Sequence, residues 1–226
     1  MAARKGRPDG PLALAILASG AGTTLGALAD RIAAGTLPAR IALAVVDRPG
    51  AGAIEQARRR GLPLALLPSR GVPPEAWAAR LSDALRDHAV ELVVLAGFLT
   101  ILPPSWVQRW AGRAINLHPA LLPRYGGPGM YGARVHAAVL AAGDRETGAT
   151  VHLVTTHVDG GPILAQARIE VAAGDTPETL RAKLHPVEVE VLADAIGRFA
   201  SGEWALPYPG PERSASSRRD APGPAA

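Results

Sequence analysis

Asn116 and His118 stand two residues apart in INLHPALLP (115–123), an apolar run closed by prolines. An amide can donate N–H groups and an imidazole can move a proton, so the pair could do chemistry if both side chains reached a cleft. On a strand, residues i and i+2 share a face, so the two project together, and Pro119 and Pro123 stop the strand where they would face a cleft. A buried Asn capping a turn beside a core His is the alternative. A second stretch, SGAGTTLGA (19–27), puts Gly20 and Gly22 between a strand and a helix. Such a turn lets backbone N–H groups approach an anion, with Thr23 and Thr24 as further donors, or it is only a tight connection. Gly26 comes one residue late for a dinucleotide fingerprint, although Asp47 could imitate the ribose-binding acid of that motif. In HVDGGP (157–162), Asp159 sits in an Asp-Gly turn, the commonest hairpin chemistry. His152 falls mid-strand in apolar surroundings. His157 lies five residues on along an extended segment, hence on the opposite face, which argues against a metal-binding pair. His88, His136 and His185 fall on helical stretches without a partner motif and read as structural.

Apolar strands and helical patterns alternate around these residues. Strands are expected at 12–18, 40–47, 62–67, 90–97, 113–118, 148–156 and 161–171. Helices are expected at 24–34, 51–60, 73–89, 104–110, 132–142 and 176–200, the last opened by the capping-type DTPET. Continuous aliphatic runs fit strands covered on both sides, so the fold class is α/β: a Rossmann-like, mostly parallel sheet with helices on both faces and a long C-terminal helix. The expected organisation is a flexible tail at 1–10, one domain at 11–203 and a disordered tail at 204–226, where residues 207–226 alone hold five prolines. YGGPGMYG (125–132) is expected to form a cover of its own.

The chain has 226 residues, 48% hydrophobic and 19% charged, which suits a folded globular protein. Its formal charge of +4 comes from scattered arginines, which gives no specific sign of nucleic-acid binding and suits anionic small substrates equally. With no cysteine there is no disulfide, thiolate nucleophile or Cys-based zinc site, and a reducing, cytoplasmic setting is expected. The short apolar run at 12–18 reads as a buried strand rather than a signal segment, and no stretch suggests a membrane span.

The order SGAGTT, VVLAGFLTILPPSWV, INLHPALLP, GATVHLV and VDGGPILAQ, ending in a long helix, resembles phosphoribosylglycinamide formyltransferases over about residues 12–200. The resemblance implies transfer of a formyl group from 10-formyltetrahydrofolate, a co-substrate, to the amino group of glycinamide ribonucleotide in purine biosynthesis. It implies no metal, nucleic-acid or membrane partner, and a monomer or homodimer. Asn116, His118 and Asp159 match the family's catalytic trio, and His152 an active-site histidine. Gly22, Thr23 and Thr24 fall where the ribonucleotide phosphate binds, with Pro119 and Glu188 toward the glycinamide end. Phe98, Leu99, Thr100, Ile101 and Leu102 match one wall of the folate pocket. Thr155, Thr156, His157, Val158 and Asp159 match the other, and Asn116 reaches the same ligand. The chain departs from the family pattern at Ala21 and Thr24, where asparagines are frequent, and at Thr100 and Pro74, where arginines occur. Asp159 beside His118 is expected to favour the imidazolium and raise its pKa.

Sibling chemistries remain open: methionyl-tRNA formyltransferase and formyltetrahydrofolate hydrolase share the Asn, His and Asp, but the extra domains they normally carry are not expected here. A nicotinamide-dependent oxidoreductase, on the strength of the glycine turn and Asp47, and a non-catalytic nucleotide-binding module are the readings from other classes.

Overall fold

The computed structural model describes residues 10–208. Leu12–Ala18 forms β1, Thr23–Ala33 α1, Ala39–Val46 β2, Gly52–Arg59 α2 and Leu64–Leu66 β3. Pro74–Asp87 forms α3, Leu92–Ala96 β4, Pro104–Arg109 α4 and Ala114–His118 β5. Ala133–Ala141 is α5, Glu146–Leu153 β6, Ile163–Glu170 β7 and Pro177–Ser201 α6. The seven strands make one sheet in the order β3-β2-β1-β4-β5-β6-β7. Pairing is parallel from β3 through β5 and antiparallel from β5 to β7.

Two apolar layers cover the two faces, which is why β1 has no polar residue. Leu12, Leu14 and Ile16 face a core shared with α1 and α6, including Leu25, Leu28, Leu192 and Phe199. Ala13, Ala15 and Leu17 face a second core with Trp77, Leu81 and Leu85 of α3 and Trp106 of α4. From β1 the chain runs outward through β2 and β3 on one side and through β4 and β5 on the other. The reversal opens a crevice at the carboxyl ends of β1 and β4, where open α/β sheets take their ligands.

The capping expected at DTPET is present: the Thr176 and Thr179 side chains each accept from the other's backbone N–H. No helix among the described residues is long and apolar enough to cross a membrane.

Two expectations need correction. The tail does not begin at 204: Trp204 packs edge-on against Phe199 with centroids 5.2 Å apart, Tyr208 adds a second edge contact at 6.1 Å, and the Tyr208 N–H bonds Gly112. Three aromatic rings bury one another there, a gain that proline content conceals. The tails at 1–9 and 209–226 lie outside the described residues. Second, β6 stops at Leu153, so His157 is in an exposed turn and not on a strand face opposite His152. Asp47, which the dinucleotide alternative would need beside a ribose, is buried and accepts a hydrogen bond from Thr100.

The Trp204 contact is expected to matter for stability: because Trp204 is half-buried, Trp204→Ala should cost about 1–2 kcal/mol, less than loss of a fully buried large apolar side chain. Urea denaturation read by circular dichroism checks this, and an unchanged midpoint would return residue 204 to the tail.

Candidate functional site

Asn116 and His152 are direct cross-strand partners in the β5–β6 ladder, so they share a face, and His118 lies on the same face two residues along. The loop from 154 to 162 joins β6 to β7 and folds back, bringing the Asp159 carboxylate onto these three side chains. Its Oδ1 lies 3.3 Å from Asn116 Nδ2 and 3.5 Å from His152 Nε2, and its Oδ2 lies 3.5 Å from His118 Nδ1. The Gly127 N–H donates to Oδ2 at 3.0 Å. Asp159 holds a left-handed backbone, φ 53°, which a non-glycine residue adopts only under local constraint. Thus the four residues expected to be catalytic converge.

The hydrogen-bond chemistry fixes the protons. His152 Nδ1 is 2.9 Å from the Leu153 carbonyl, which can only accept, so Nδ1 carries the proton. Neutral His152 then accepts at Nε2 from Asn116 Nδ2, 3.0 Å away. Both amide hydrogens of Asn116 are thereby directed within the cluster, the one toward Asp159 over the longer distance. His118 Nε2 donates to the Tyr125 carbonyl at 2.8 Å, which leaves Nδ1 toward the carboxylate.

Burial dominates the acidity of His118 and lowers its pKa, with His152 acting in the same direction. Asp159, the Tyr125 carbonyl and Glu188 offset this only in part. The expected rise is therefore overturned: Asp159 pulls upward as anticipated, but desolvation of an imidazole that is 3% exposed outweighs it. For Asp159 burial pulls upward, yet His152, the His118 charge and the Gly127 N–H together bring the carboxyl below its ordinary value.

The other expected residues fall around this cluster. Gly22 caps α1 with φ 72°, and a Cβ there would come within 2.5 Å of Ala53 Cα, so packing demands glycine irrespective of any ligand. No side chain caps α1 and its first turn has no acidic residue, so its N–H groups and positive dipole are free for an anion, with Thr23 exposed. Strands β1, β4 and β5 are neighbours, so this turn and the end of β5 are about 10 Å apart, two strand spacings. Phe98 stacks on Trp77, the Leu99 N–H donates to Ser19, and Thr100 donates to Asp47 while accepting from Ser69. Leu102 is buried, whereas Ile101 and Val158 are 69% and 40% exposed, one on each expected wall of the folate pocket. Glu188 on α6 lies 3.5 Å from His185 Nδ1. Pro119 is half-buried directly after β5.

Sequence reasoning missed Tyr125 and Gly127, which act through the main chain, and gave Ser19 and Ser69 no role. It also treated His136 as structural. That residue is buried, with Nδ1 lacking a hydrogen-bond partner and its pKa lowered by burial.

A family model described as formyl transferase matches residues 12–196. The phosphoribosylglycinamide formyltransferase of Mycobacterium tuberculosis is 42% identical over 199 residues, covering 86% of this chain and 87% of that protein. The chloroplastic phosphoribosylglycinamide formyltransferase of Arabidopsis thaliana is 37% identical over 190 residues, covering 81% of this chain but only 64% of the longer plant protein. Among solved structures, glycinamide ribonucleotide transformylase 1 from Symbiobacterium toebii superposes with a TM-score of 0.81 at 34% identity, covering 88% of this chain and 92% of its own.

The acidity of His118 gives a signed expectation. Its folded pKa lies below the ordinary 6.5, so the unfolded chain takes up the proton first. Stability from neutral His118 is full above that value and is lost as pH falls toward the folded pKa. Denaturation midpoints should therefore drop between pH 7.5 and 5.5, and by less in His118→Gln. An equal drop in both proteins would contradict the assignment.

Proposed function

The chain belongs to the formyl transferase family, and from that premise we propose that it transfers the formyl group of 10-formyltetrahydrofolate to the amino group of glycinamide ribonucleotide. The observation that carries this is the convergence of Asn116, His118, His152 and Asp159 on one sheet face beside the crevice. The free N-terminus of α1 fits the ribonucleotide phosphate, and the exposed Ile101 and Val158 offer apolar surface to a flat heteroaromatic co-substrate.

The reaction is acyl transfer: the amine adds to the formyl carbon, a tetrahedral oxyanion forms, and the folate nitrogen departs with a proton. Asn116 supplies an N–H to the oxyanion by giving up its longer bond to Asp159, while its bond to His152 keeps the amide oriented. His118, neutral at rest, takes the proton that the amine sheds on adding to the formyl carbon, and Asp159 stabilises that imidazolium. It can then donate to the oxyanion or to the departing nitrogen. Glu188 is set to orient the glycinamide end.

The test is formyl transfer with glycinamide ribonucleotide, methionyl-tRNA and water as competing acceptors. Glycinamide ribonucleotide should win. Asn116→Ala should lower kcat by about 10²–10³ with ribonucleotide binding retained, as for removal of one oxyanion donor. Preferential hydrolysis of the formyl folate, or full turnover in Asn116→Ala, would contradict the proposal.

A further inference from the structure

The turn from Arg124 to Gly127 contributes two main-chain groups to the cluster. The Tyr125 carbonyl accepts from His118 Nε2 at 2.8 Å, and the Gly127 N–H donates to Asp159 Oδ2 at 3.0 Å, the oxygen that faces His118 Nδ1. One short turn thus holds both members of the His118–Asp159 pair. Gly126, between them, runs so close that a Cβ would lie 3.2 Å from Asp159 Cβ and 2.5 Å from Leu122 Cδ2.

The backbone of this turn is not at rest. Tyr125 has φ 57°, a left-handed conformation that is unfavourable for a non-glycine residue. Among the described residues only Ala89, Tyr125 and Asp159 are non-glycines with positive φ, and two of these three meet at this site. Something outside the cleft must hold Tyr125 there. Its hydroxyl donates to Asp144 Oδ2 at 2.7 Å, and Asp144 lies in the short connection between α5 and β6, a segment separate from the loop that carries Tyr125. Arg124 grips the same carboxylate at 2.9 and 3.0 Å, donates to the Tyr125 hydroxyl at 2.9 Å and covers its ring. The Arg124 side chain is largely exposed, so its ion pair adds little stability. The arrangement restricts the turn instead.

We infer that Tyr125 and Asp144 are positioning residues: the Tyr125 hydroxyl, anchored on Asp144, fixes the turn whose carbonyl and N–H orient His118 and Asp159. The inference rests on the reading of that pair as the transfer site. In the free cluster the carbonyl holds the His118 proton on Nε2, so Nδ1 is the nitrogen that faces the carboxylate. Releasing the hydroxyl lets the turn relax toward an ordinary φ, and both main-chain contacts loosen together.

The experiment pairs steady-state formyl transfer with an NMR titration of the His118 ring in the ligand-free protein. Tyr125→Phe keeps the ring and removes the anchor. It should lower kcat about 5–10-fold, the loss of one hydrogen bond's worth of orientation, with KM for the ribonucleotide within twofold. The His118 midpoint should fall, because a contact that favours the protonated ring is weakened. Asp144→Ala should do the same, and Asp144→Asn, which still accepts from the hydroxyl, should recover most of the loss. Tyr131→Phe, in the same loop without this anchor, should change neither quantity. If Tyr125→Phe does not fold, the contrast between Asp144→Ala and Asp144→Asn carries the test. An unmoved His118 titration in the anchor variants overturns the inference, whether or not kcat falls. A protein without formyl-transfer activity whose His118 titration still moves in Tyr125→Phe would leave the anchor standing and remove the proposed function instead.

Discussion

A single carboxylate organises this protein's candidate site. The Asp159 side chain is only 10% exposed, and a buried charge persists only with partners around it. Those partners come from three separate parts of the fold: Asn116 and His118 at the end of β5, His152 on β6, and the Gly127 N–H in the loop before α5. The antiparallel β6–β7 extension supplies the loop that carries Asp159. Without that extension the β5 residues would lose both the carboxylate and His152, and Asn116 would lose both of its side-chain partners.

Burial and charge work against each other at His118, and the balance decides its resting state. Desolvation wins, so the ring starts neutral, while Asp159 stands ready to stabilise a positive charge once the reaction creates one. Neutral at rest and charged in the transition state is what a general acid–base group needs near neutral pH. The same carboxylate orients Asn116 through a long hydrogen bond that a substrate oxygen can displace.

Much of the framework was legible because its physics is local. Continuous aliphatic runs marked β1, β2 and β4, and each expected helix lies within about two residues of the observed one, the usual slack at fraying ends. The period of two placed Asn116 and His118 together. Asp159 was visible in isolation only as an Asp-Gly turn, and its role came from resemblance, since nothing local shows the loop folding back. Tyr125 and Gly127 were invisible because they act through backbone atoms every residue has. Asp47 kept a dinucleotide alternative open because an acid after the second strand looks the same in sequence whether it faces a ribose or, as here, holds Thr100. Trp204 and Tyr208 were hidden by their proline-rich neighbourhood.

The central claim is that Asp159 and His118 act as one unit, and a double-mutant cycle on kcat tests it most directly. Wild type, Asp159→Asn, His118→Gln and the double variant would be compared in the formyl-transfer assay. Groups that act as a unit are strongly non-additive, so the double variant should fall within about tenfold of the worse single one. Losses that multiply across the two substitutions would show independent residues and contradict the account.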